Sequence, residues 1–510
     1  MPGVGRKRAA AAAAGLLLAA ALPGPGLWPL VVAVPGLLRR ALAGEVGWRA
    51  FRLGWLAGFA QWAAAVPWVV IVLHRYGHLP LALAIGLWLV MAGILGSLWA
   101  VAAWAAAWTP RTWQVWSLPV ALTALEVLQR FPPWGFPWNP VAAALTAAPT
   151  LLAPVAVVGA SGLSLLVLLL SSGLAAACSR GERRVGLVVV GTALAVWVVL
   201  SLAAPPFRPT GRSVKAAALQ PNVPLEVRWD LDNERAIEAG VVALTVDAAA
   251  AGAGWIVWPE SAIPRIVERD GGYRQLLERL AREQRAWLLV GSIGFGRGEE
   301  EYFNSVHVVS PAGILPYRYD KVHLVPFGEY VPLLGRLAAA RSLVREVGAF
   351  TPGTARLPLP GPAGPTGVAI CYEVAFPALL ADEVRQGAEV LATITNDGWY
   401  GDSFAPRQHL ALAALRAAET RRFLVRAANT GISAIVGPDG RILERLGMGK
   451  RGLVVHEVEG GGGVTPAAAW GGSIRAAIVL LLVAAILAGG RRRRREHTAM
   501  GGHRPRGNDA

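Results

Sequence analysis

Long apolar runs near the N-terminus constrain this 510-residue chain more than any other feature of its sequence. An α-helix crosses a bilayer with about 20 apolar residues, and several of the runs reach that length almost without charge. A water-soluble fold has no place for so many of them. The sequence therefore predicts an α-helical membrane domain with eight spans, at approximately 9–22, 26–38, 53–73, 79–107, 113–129, 150–178, 186–204 and 474–489.

The first two apolar runs are short and are separated by the sequence PGPG at 23–26. They are compatible with one long helix, with a signal peptide followed by a helix, or with a pair of short spans. No clear cleavage site precedes the Pro-Gly turn, which disfavours a signal peptide. The basic residues at 6–8 and 39–52 fall on the same side of a membrane only if two spans separate them, so the pair is favoured.

The net charge of +16 lies entirely outside residues 205–460, which carry 28 basic and 28 acidic side chains. A nucleic-acid-binding domain would carry its basic residues on this charge-balanced part, so no nucleic-acid partner is expected. Cytoplasmic loops of membrane proteins are enriched in Arg and Lys. That rule predicts a multi-pass membrane protein with a cytoplasmic N-terminus, an extracytoplasmic segment 205–460 and a basic cytoplasmic tail 491–510.

Residues 205–460 alternate short apolar runs of strand type with helical stretches, which predicts an α/β domain with a well-covered sheet. Strands are expected at 214–219, 255–258, 287–290, 306–309, 367–370, 390–394 and 432–436, and helices at 233–251, 273–285 and 408–420. The predicted domains are therefore a seven-span membrane domain (1–204), the α/β domain (205–460), a linker with the last span (461–490) and the tail (491–510).

The chain has two cysteines, Cys178 inside an apolar run and Cys371 at the end of a predicted strand. Their number and separation argue against a disulfide framework and exclude a metal cluster built on thiolates. No metal and no other cofactor is expected. A lone thiol at a strand end is a candidate nucleophile. The alternative is a buried structural cysteine, because free cysteines commonly pack in protein cores.

Two further residues are candidates for activating that thiol. Glu260 follows a predicted strand and is a candidate general base, although an exposed loop glutamate would give the same pattern. Lys321 is one of only four lysines, and a compact ammonium group can stabilise an oxyanion. The alternative is a solvated lysine paired with Asp320. A thiol needs a base or a positive field to ionise near neutral pH, and this pair supplies both.

Glu, Lys and Cys in this order, roughly fifty to sixty residues apart, resemble the nitrilase (carbon–nitrogen hydrolase) superfamily. The flanking sequences resemble apolipoprotein N-acyltransferases in particular. They are WPESAIP (258–264), KVHLVPFGEYVP (321–332), AICYE (369–373), NDGWYG (396–401) followed by QH (408–409), and GFPW (135–138). Gly398 departs mildly from the family pattern, where Ala is expected. The loop 396–400, taken alone, would also fit an ordinary Asx turn.

The resemblance implies an αββα sandwich for the α/β domain and a catalytic triad of Glu260, Lys321 and Cys371. It implies supporting roles for three neighbours of the lysine and the nucleophile, namely Glu329, Tyr372 and Glu373. It also implies aromatic residues at a substrate entrance, namely Trp229, Trp399 and Tyr400. Core packing is the alternative for Trp229.

The family's activity implies transfer of an acyl chain from a membrane phospholipid, through a thioester on Cys371, to the N-terminal amine of a diacylglyceryl-cysteine lipoprotein. The resemblance also implies a location in a bacterial inner (cytoplasmic) membrane, with the α/β domain on the periplasmic side. The expected partners are the phospholipid donor, the lipoprotein acceptor and the bilayer. One rival is a membrane-anchored amidase with the same triad, for which seven spans exceed the need for an anchor. The other rival is a transporter or a non-enzymatic scaffold. Ionisable residues inside the spans would indicate transport. Glu126 lies near a span end with Arg130 one turn later, and this pair is compatible with simple local pairing.

Overall fold

The computed structural model describes residues 2–131, 135–228, 231–296, 301–326, 328–330 and 350–501. The α-helices of the described chain are α1 Pro2–Ala21, α2 Val34–Ala41, α3 Gly47–Ala65, α4 Trp68–Ile71, α5 Leu81–Ala107, α6 Gln114–Leu128, α7 Val155–Ala177, α8 Arg183–Ala203, α9 Leu225–Arg228, α10 Leu231–Ala250, α11 Gly271–Gln284, α12 Pro377–Arg385, α13 Ala405–Thr420 and α14 Pro466–Gly501. A 3-10 helix, Trp28–Ala33, leads into α2, and a π-helical turn, Val72–Tyr76, continues α4.

Within these ranges, four helices are long and apolar enough to cross a membrane: α5, α7, α8 and the part of α14 up to Gly490. A fifth candidate is the pair α3 and α4, which is bent by 56°. The bend falls at Pro67, whose ring removes an N–H donor and interrupts the helical ladder. The predicted multi-span helical domain is therefore confirmed in outline, with four or five helices of spanning length.

The first two apolar runs form a helical hairpin. α1 ends at Ala21 and packs against both the 3-10 helix and α2. The Nζ atom of Lys7, near the start of α1, donates to the carbonyl of Ala43 at 2.7 Å and to Glu45 at 2.6 Å, just beyond the end of α2. The chain therefore returns to the end where it began, and one long helix is excluded.

The basic loops of the helical domain meet at one end of it. Arg39, in the last turn of α2, and Arg111, in the loop after α5, both form ion pairs with Glu182, at 2.5 Å and 3.1 Å. Gly489, near the end of the apolar part of α14, approaches the backbone of Trp108 at that same end. The arginine-rich sequence after Gly489 therefore begins beside the other basic loops.

Eleven strands of the described chain form two mixed sheets in the α/β domain. The strands are β1 Pro209–Gln220, β2 Trp255–Val257, β3 Trp287–Phe295, β4 Tyr302–Ser310, β5 Gly313–Asp320, β6 Thr366–Ile370, β7 Val390–Thr395, β8 Leu424–Ala428, β9 Ser433–Val436, β10 Ile442–Leu446 and β11 Gly452–Gly461. The six-stranded sheet has the order β11-β1-β2-β3-β4-β5, and the five-stranded sheet has the order β10-β9-β8-β7-β6. All seven predicted strands and all three predicted helices are confirmed.

The two sheets pack face to face, and helices cover their outer faces. Side chains from both sheets, such as Val257 and Ala392, share one buried cluster. α10 and α11 pack on the outside of the six-stranded sheet through residues such as Val241 and Leu277. α12 and α13 cover the five-stranded sheet and join the core of the helical domain. The predicted α/β domain is therefore a four-layered sandwich docked on the helical domain.

Gln408, on α13, ties the two domains together where the α3–α4 pair is bent. Its Oε1 accepts hydrogen bonds from the indoles of Trp68 (3.1 Å) and Trp138 (2.8 Å). Its Nε2 donates to the carbonyl of Ala65 at 2.8 Å, at the end of α3, where the helical ladder stops. All these groups are buried away from water, so each would lack a hydrogen-bond partner without Gln408.

Glu126 and Arg130 lie 3.8 Å apart, one turn from each other at the end of α6. Glu126 also accepts hydrogen bonds from the backbone N–H of Val141 (2.9 Å) and from Ser164 (3.1 Å). These contacts are the local pairing that the sequence suggested. The carboxylate of Glu126 has all of these partners within the helical domain.

Candidate active site

Four chemically active side chains follow strand ends that converge on one edge of the sandwich. Glu260 comes after β2, Lys321 after β5, Cys371 after β6 and Asn396 after β7. The Oε2 atom of Glu260 accepts a hydrogen bond of 2.9 Å from the backbone N–H of Asn396, which joins the two sheets. The Oε1 atom of Glu260 lies 4.0 Å from Lys321 Nζ. Two of the three predicted catalytic residues are thus in direct electrostatic contact.

Lys321 is held between two carboxylates. It is 1% exposed, and its Nζ atom lies 2.8 Å from Glu329. Burial alone would lower the pKa of Lys321, but Glu329, Glu260 and Cys371 outweigh it and raise the pKa above its usual value. The ammonium therefore stays charged. Asp320, the partner in the surface-lysine alternative, pairs with Arg318 instead, at 2.8 Å.

Asn304 connects Glu260 to Glu329, and no sequence motif indicated it. Its Nδ2 atom donates to Glu260 Oε1 at 2.6 Å and to Glu329 Oε1 at 3.0 Å. Its backbone carbonyl accepts from the N–H of Lys321 at 2.8 Å. The side chain lies in the interior of β4, where only the pairing of β4 with β5 places it beside the lysine.

Cys371 opens a 3-10 turn, Cys371–Ala375, immediately after β6. Its φ angle of 53° is in the left-handed region, which a residue with a Cβ seldom adopts. Such strain persists only where surrounding contacts impose it, and it is a recurrent feature of nucleophile turns. The thiol is 6% exposed and lies in the cluster between the two sheets.

Glu373 joins the turn that Cys371 opens (the predicted nucleophile turn) to the segment that follows Lys321 (the lysine loop). One carboxylate oxygen accepts from the backbone N–H groups of Val322 (2.7 Å) and His323 (2.9 Å). The other accepts from the N–H of Ile370 (2.8 Å) and from the hydroxyl of Tyr319 (3.0 Å). Four donors satisfy this fully buried carboxylate, so the positions of the turn and of Lys321 depend on each other.

A second buried network contacts the backbone carbonyl of Cys371. The Nε2 atom of His409 lies 2.9 Å from the carbonyl of Cys371 and donates to it. Nδ1 of the same ring lies 2.9 Å from Asp397, which also accepts from Arg426 at 2.7 Å. Burial opposes ionisation of Asp397, but Arg426 and His409 outweigh it and lower the pKa of this carboxyl to about 2. Asp397 is therefore ionised at neutral pH, whereas burial and the charge of Arg426 lower the pKa of His409.

The Cys371 thiol is protonated in the resting site. Burial raises its pKa above the usual value, the negative charge of Glu260 adds to the effect, and Lys321 opposes it without overcoming it. A group whose pKa is raised keeps its proton as the pH passes through neutrality. The arrangement therefore fits a general base that removes the proton during the reaction, rather than a preformed thiolate.

We expect the rate of Cys371 alkylation by iodoacetamide to rise about tenfold per pH unit between pH 6 and 8.5, without a plateau, because only the thiolate reacts. Mass spectrometry of the modified peptide measures the rate in a Cys178→Ala background, which removes the other, exposed cysteine. A plateau below pH 7 would contradict a protonated resting thiol.

The predicted entrance aromatics contact the helical domain. The ring of Tyr400 lies 4.9 Å from that of Trp68, and the ring of Trp399 lies 5.3 Å from that of Tyr76. Tyr372 donates its hydroxyl to the carbonyl of Gly135 at 2.7 Å. Trp229, the third predicted entrance residue, lies outside the described residues. Tyr372, which follows Cys371, and these two aromatic residues thus contact the helical domain.

Comparison with known proteins identifies the family of this chain. The family model described as "Apolipoprotein N-acyltransferase N-terminal domain" matches residues 14–173, and the one described as "Carbon-nitrogen hydrolase" matches 215–462. The apolipoprotein N-acyltransferase of Geobacter metallireducens is 34% identical over 84% of this chain and 84% of its own length. This chain belongs to the apolipoprotein N-acyltransferase family. A second relative, from Azotobacter vinelandii, is 35% identical over 88% of each chain.

As an apolipoprotein N-acyltransferase family member, the protein is an enzyme, an acyltransferase on a nitrilase-like fold. The resemblance drawn from the sequence motifs is confirmed. Among solved structures, Saccharomyces cerevisiae Nit3 is 18% identical, with a TM-score of 0.39 over 49% of this chain and 90% of its own. An amidase from Nesterenkonia sp. AN1 is 22% identical, with a TM-score of 0.38 over 50% of this chain and 93% of its own.

Proposed function

We propose that this acyltransferase moves an acyl chain from a membrane phospholipid to the N-terminal amine of a diacylglyceryl-cysteine lipoprotein, with Cys371 as nucleophile. The observation that carries the proposal is the packing of the nucleophile turn on the helical domain. Tyr372 bonds to Gly135 and lies 6.2 Å from the ring of Trp138, both in the segment between α6 and α7. A lipid ester would reach such a site from the bilayer, whereas a soluble amide would gain nothing from this placement.

In the first half of the proposed reaction, Glu260 accepts the proton of the Cys371 thiol as sulfur attacks the ester carbonyl. The Lys321 ammonium stabilises the oxyanion of the tetrahedral intermediate. The ester C–O bond then breaks, and Glu260 returns the proton to the departing alkoxide. Lysophospholipid leaves, and the acyl chain remains on Cys371 as a thioester.

In the second half, the unprotonated N-terminal amine of the lipoprotein attacks the thioester carbonyl. Glu260 accepts a proton from nitrogen, the C–S bond breaks, and the proton passes to the Cys371 sulfur. An α-amino group has a pKa near 8, so a useful fraction is unprotonated at neutral pH. The product amide is more stable than either the ester or the thioester, so transfer is downhill, and a water-poor site protects the intermediate from hydrolysis.

The remaining predicted residues are proposed to position this machinery. Glu329 would hold the Lys321 ammonium, and Glu373 would fix the nucleophile turn against the lysine loop, in keeping with their hydrogen bonds. Tyr372 would join that turn to the helical domain. Trp399 and Tyr400, together with Trp229, would line the entrance for the acyl chains, since aromatic side chains suit a boundary between apolar and polar surroundings.

We further propose eight spans in a bacterial inner membrane, with the α/β domain on the periplasmic side. The hairpin of the first two segments and the meeting of the basic loops at one end support it, because the positive-inside rule places such an end in the cytoplasm. The α/β domain docks away from that end, through Gln408 and Tyr372. Residues 1–204, 205–460, 461–490 and 491–510 would then be membrane domain, catalytic domain, last span with its linker, and cytoplasmic tail.

Complementation tests the proposed function. The gene is expressed in a bacterium depleted of its own apolipoprotein N-acyltransferase, and the N-terminal peptide of a lipoprotein is weighed by mass spectrometry. We expect the mass of three acyl chains. Two chains would refute the proposal, and release of ammonia from small amides without lipid would favour the membrane-anchored amidase.

A further inference from the structure

A cavity of about 370 Å³ lies where α14 leaves the α/β domain. Its walls come from α12, α13, the start of α14 and the break in α7 at Gly159. The cavity is far larger than one water molecule requires. Its polar and charged lining consists of Asp382, Arg385, Glu419, Thr420, Ser473 and Arg475. No residue of the proposed catalytic machinery belongs to this lining.

The carboxylates of this cavity are already paired. Asp382 forms ion pairs with Arg385 and, at 3.1 Å, with Arg356. Glu419 pairs with Arg416 at 2.8 Å, and its other oxygen accepts from the backbone N–H of Ala160 at 2.6 Å. That N–H is available because α7 is broken at Gly159. Each carboxylate is therefore in direct contact with an arginine other than Arg475.

Arg475 is the cation of this lining that lacks a direct partner in the described chain, and Glu419 and Asp382 act on it only at longer range. It is half-buried, and its guanidinium forms no hydrogen bond or ion pair with any residue that the structure describes. It is also the only charged residue between positions 466 and 490. Behind the lining, Arg416 has a buried Nη1 atom with no hydrogen-bond partner in the described chain. A partly desolvated guanidinium is costly unless an anion meets it.

We propose that this cavity binds the phosphate group of a membrane phospholipid, with Arg475 as its principal ligand. Arg475 stands at the head of the uninterrupted apolar run of α14, the depth at which headgroups lie beside a spanning helix. A guanidinium fork matches the geometry of a phosphate and forms charge-assisted hydrogen bonds with it. The site goes beyond the proposed acyl transfer, because it does not involve Cys371.

Native mass spectrometry of the full-length protein in detergent tests this site by counting bound lipid as phosphatidylglycerol is added. We expect Arg475→Gln to bind the first phosphatidylglycerol about tenfold more weakly, the effect of one lost charge-assisted interaction. Arg475→Lys keeps the charge and is expected to lose about threefold or less. The matched control is Arg184→Gln, an exposed arginine at the opposite end of the helical domain, which should bind as the wild type does.

Two comparisons identify the ligand. Monogalactosyldiacylglycerol has the same chains but no phosphate, and we expect it to bind weakly and without dependence on Arg475. Inorganic phosphate at millimolar concentration should not displace the phospholipid; displacement that needs Arg475 would make this a site for free phosphate and overturn the proposal. Equal phosphatidylglycerol binding by wild type and Arg475→Gln would also overturn it. Cys371→Ala should bind normally, so a failure of the proposed acyl transfer is distinguishable.

Discussion

Replacing Cys371 with alanine is expected to abolish acyl transfer, a loss of about 10⁴-fold or more, because the proposed chemistry depends on a covalent bond to sulfur. The variant should also fail to become labelled when the wild-type enzyme is incubated with a phospholipid that carries a radioactive acyl chain. Cys371→Ser should be nearly as inactive, because a hydroxyl is much harder to ionise than a thiol in this buried site.

The matched control for that experiment is Cys178→Ala, since Cys178 is exposed and lies at the end of α7, in the helical domain. It should keep full labelling and full transfer. Hydroxylamine, which cleaves thioesters, should release the label from the wild-type enzyme. Persistent covalent labelling of Cys371→Ala would refute the proposed thioester.

Replacing Lys321 with methionine is expected to lower the rate of acyl transfer by about 10³-fold. Loss of one oxyanion donor accounts for roughly 10²–10³. The substitution also leaves Glu260 and Glu329 facing each other across Asn304 without their shared cation. Without that cation the two buried carboxylates repel each other, which would disturb the position of the proposed general base. Transfer to a lipoprotein-like peptide under saturating phospholipid measures the loss.

Lys215→Met is the control, because this lysine is exposed on the α/β domain and should be replaceable at no cost. Removing one member of a buried charge group can destabilise a protein by about 3–5 kcal/mol, so the melting temperature of Lys321→Met must be measured beside its activity. Activity within tenfold of wild type in a folded Lys321→Met variant would contradict the proposed role.

Local patterns were sufficient for the elements with strong signals. The apolar runs predicted a helical membrane domain, and the alternation of short apolar runs with helices predicted the α/β domain. The strands that these patterns predict include β1, whose second half is buried and mostly apolar, and β7, which is buried throughout. The sequence did not predict β5 and β10, because polar side chains such as Arg318 and Glu444 interrupt their apolar pattern. β8 was not predicted either, because Arg426 interrupts its apolar pattern. In the structure this arginine is fully buried and paired with Asp397.

The candidate site divides in the same way. Glu260, Lys321 and Cys371 were visible because each follows a strand end and because their order resembles a known family. Asn304 was not, since a polar residue inside β4 has no local signature, and its position beside Glu260 and Glu329 depends on how separate strands stack. His409 belongs to one of the sequence motifs, but its bond to the carbonyl of Cys371 depends on how α13 packs against the five-stranded sheet.

The sequence by itself determined the class of this protein: a helical membrane domain joined to an α/β acyltransferase domain with a candidate Glu-Lys-Cys site. It could do so because hydrophobic periodicity and strand-end motifs are local properties of the chain. Only the tertiary structure decided which buried groups satisfy one another, such as Glu373 with the lysine loop and Gln408 with the end of α3. It also left Arg475 without a partner in the described chain, because pairing depends on distances between residues that are remote in sequence.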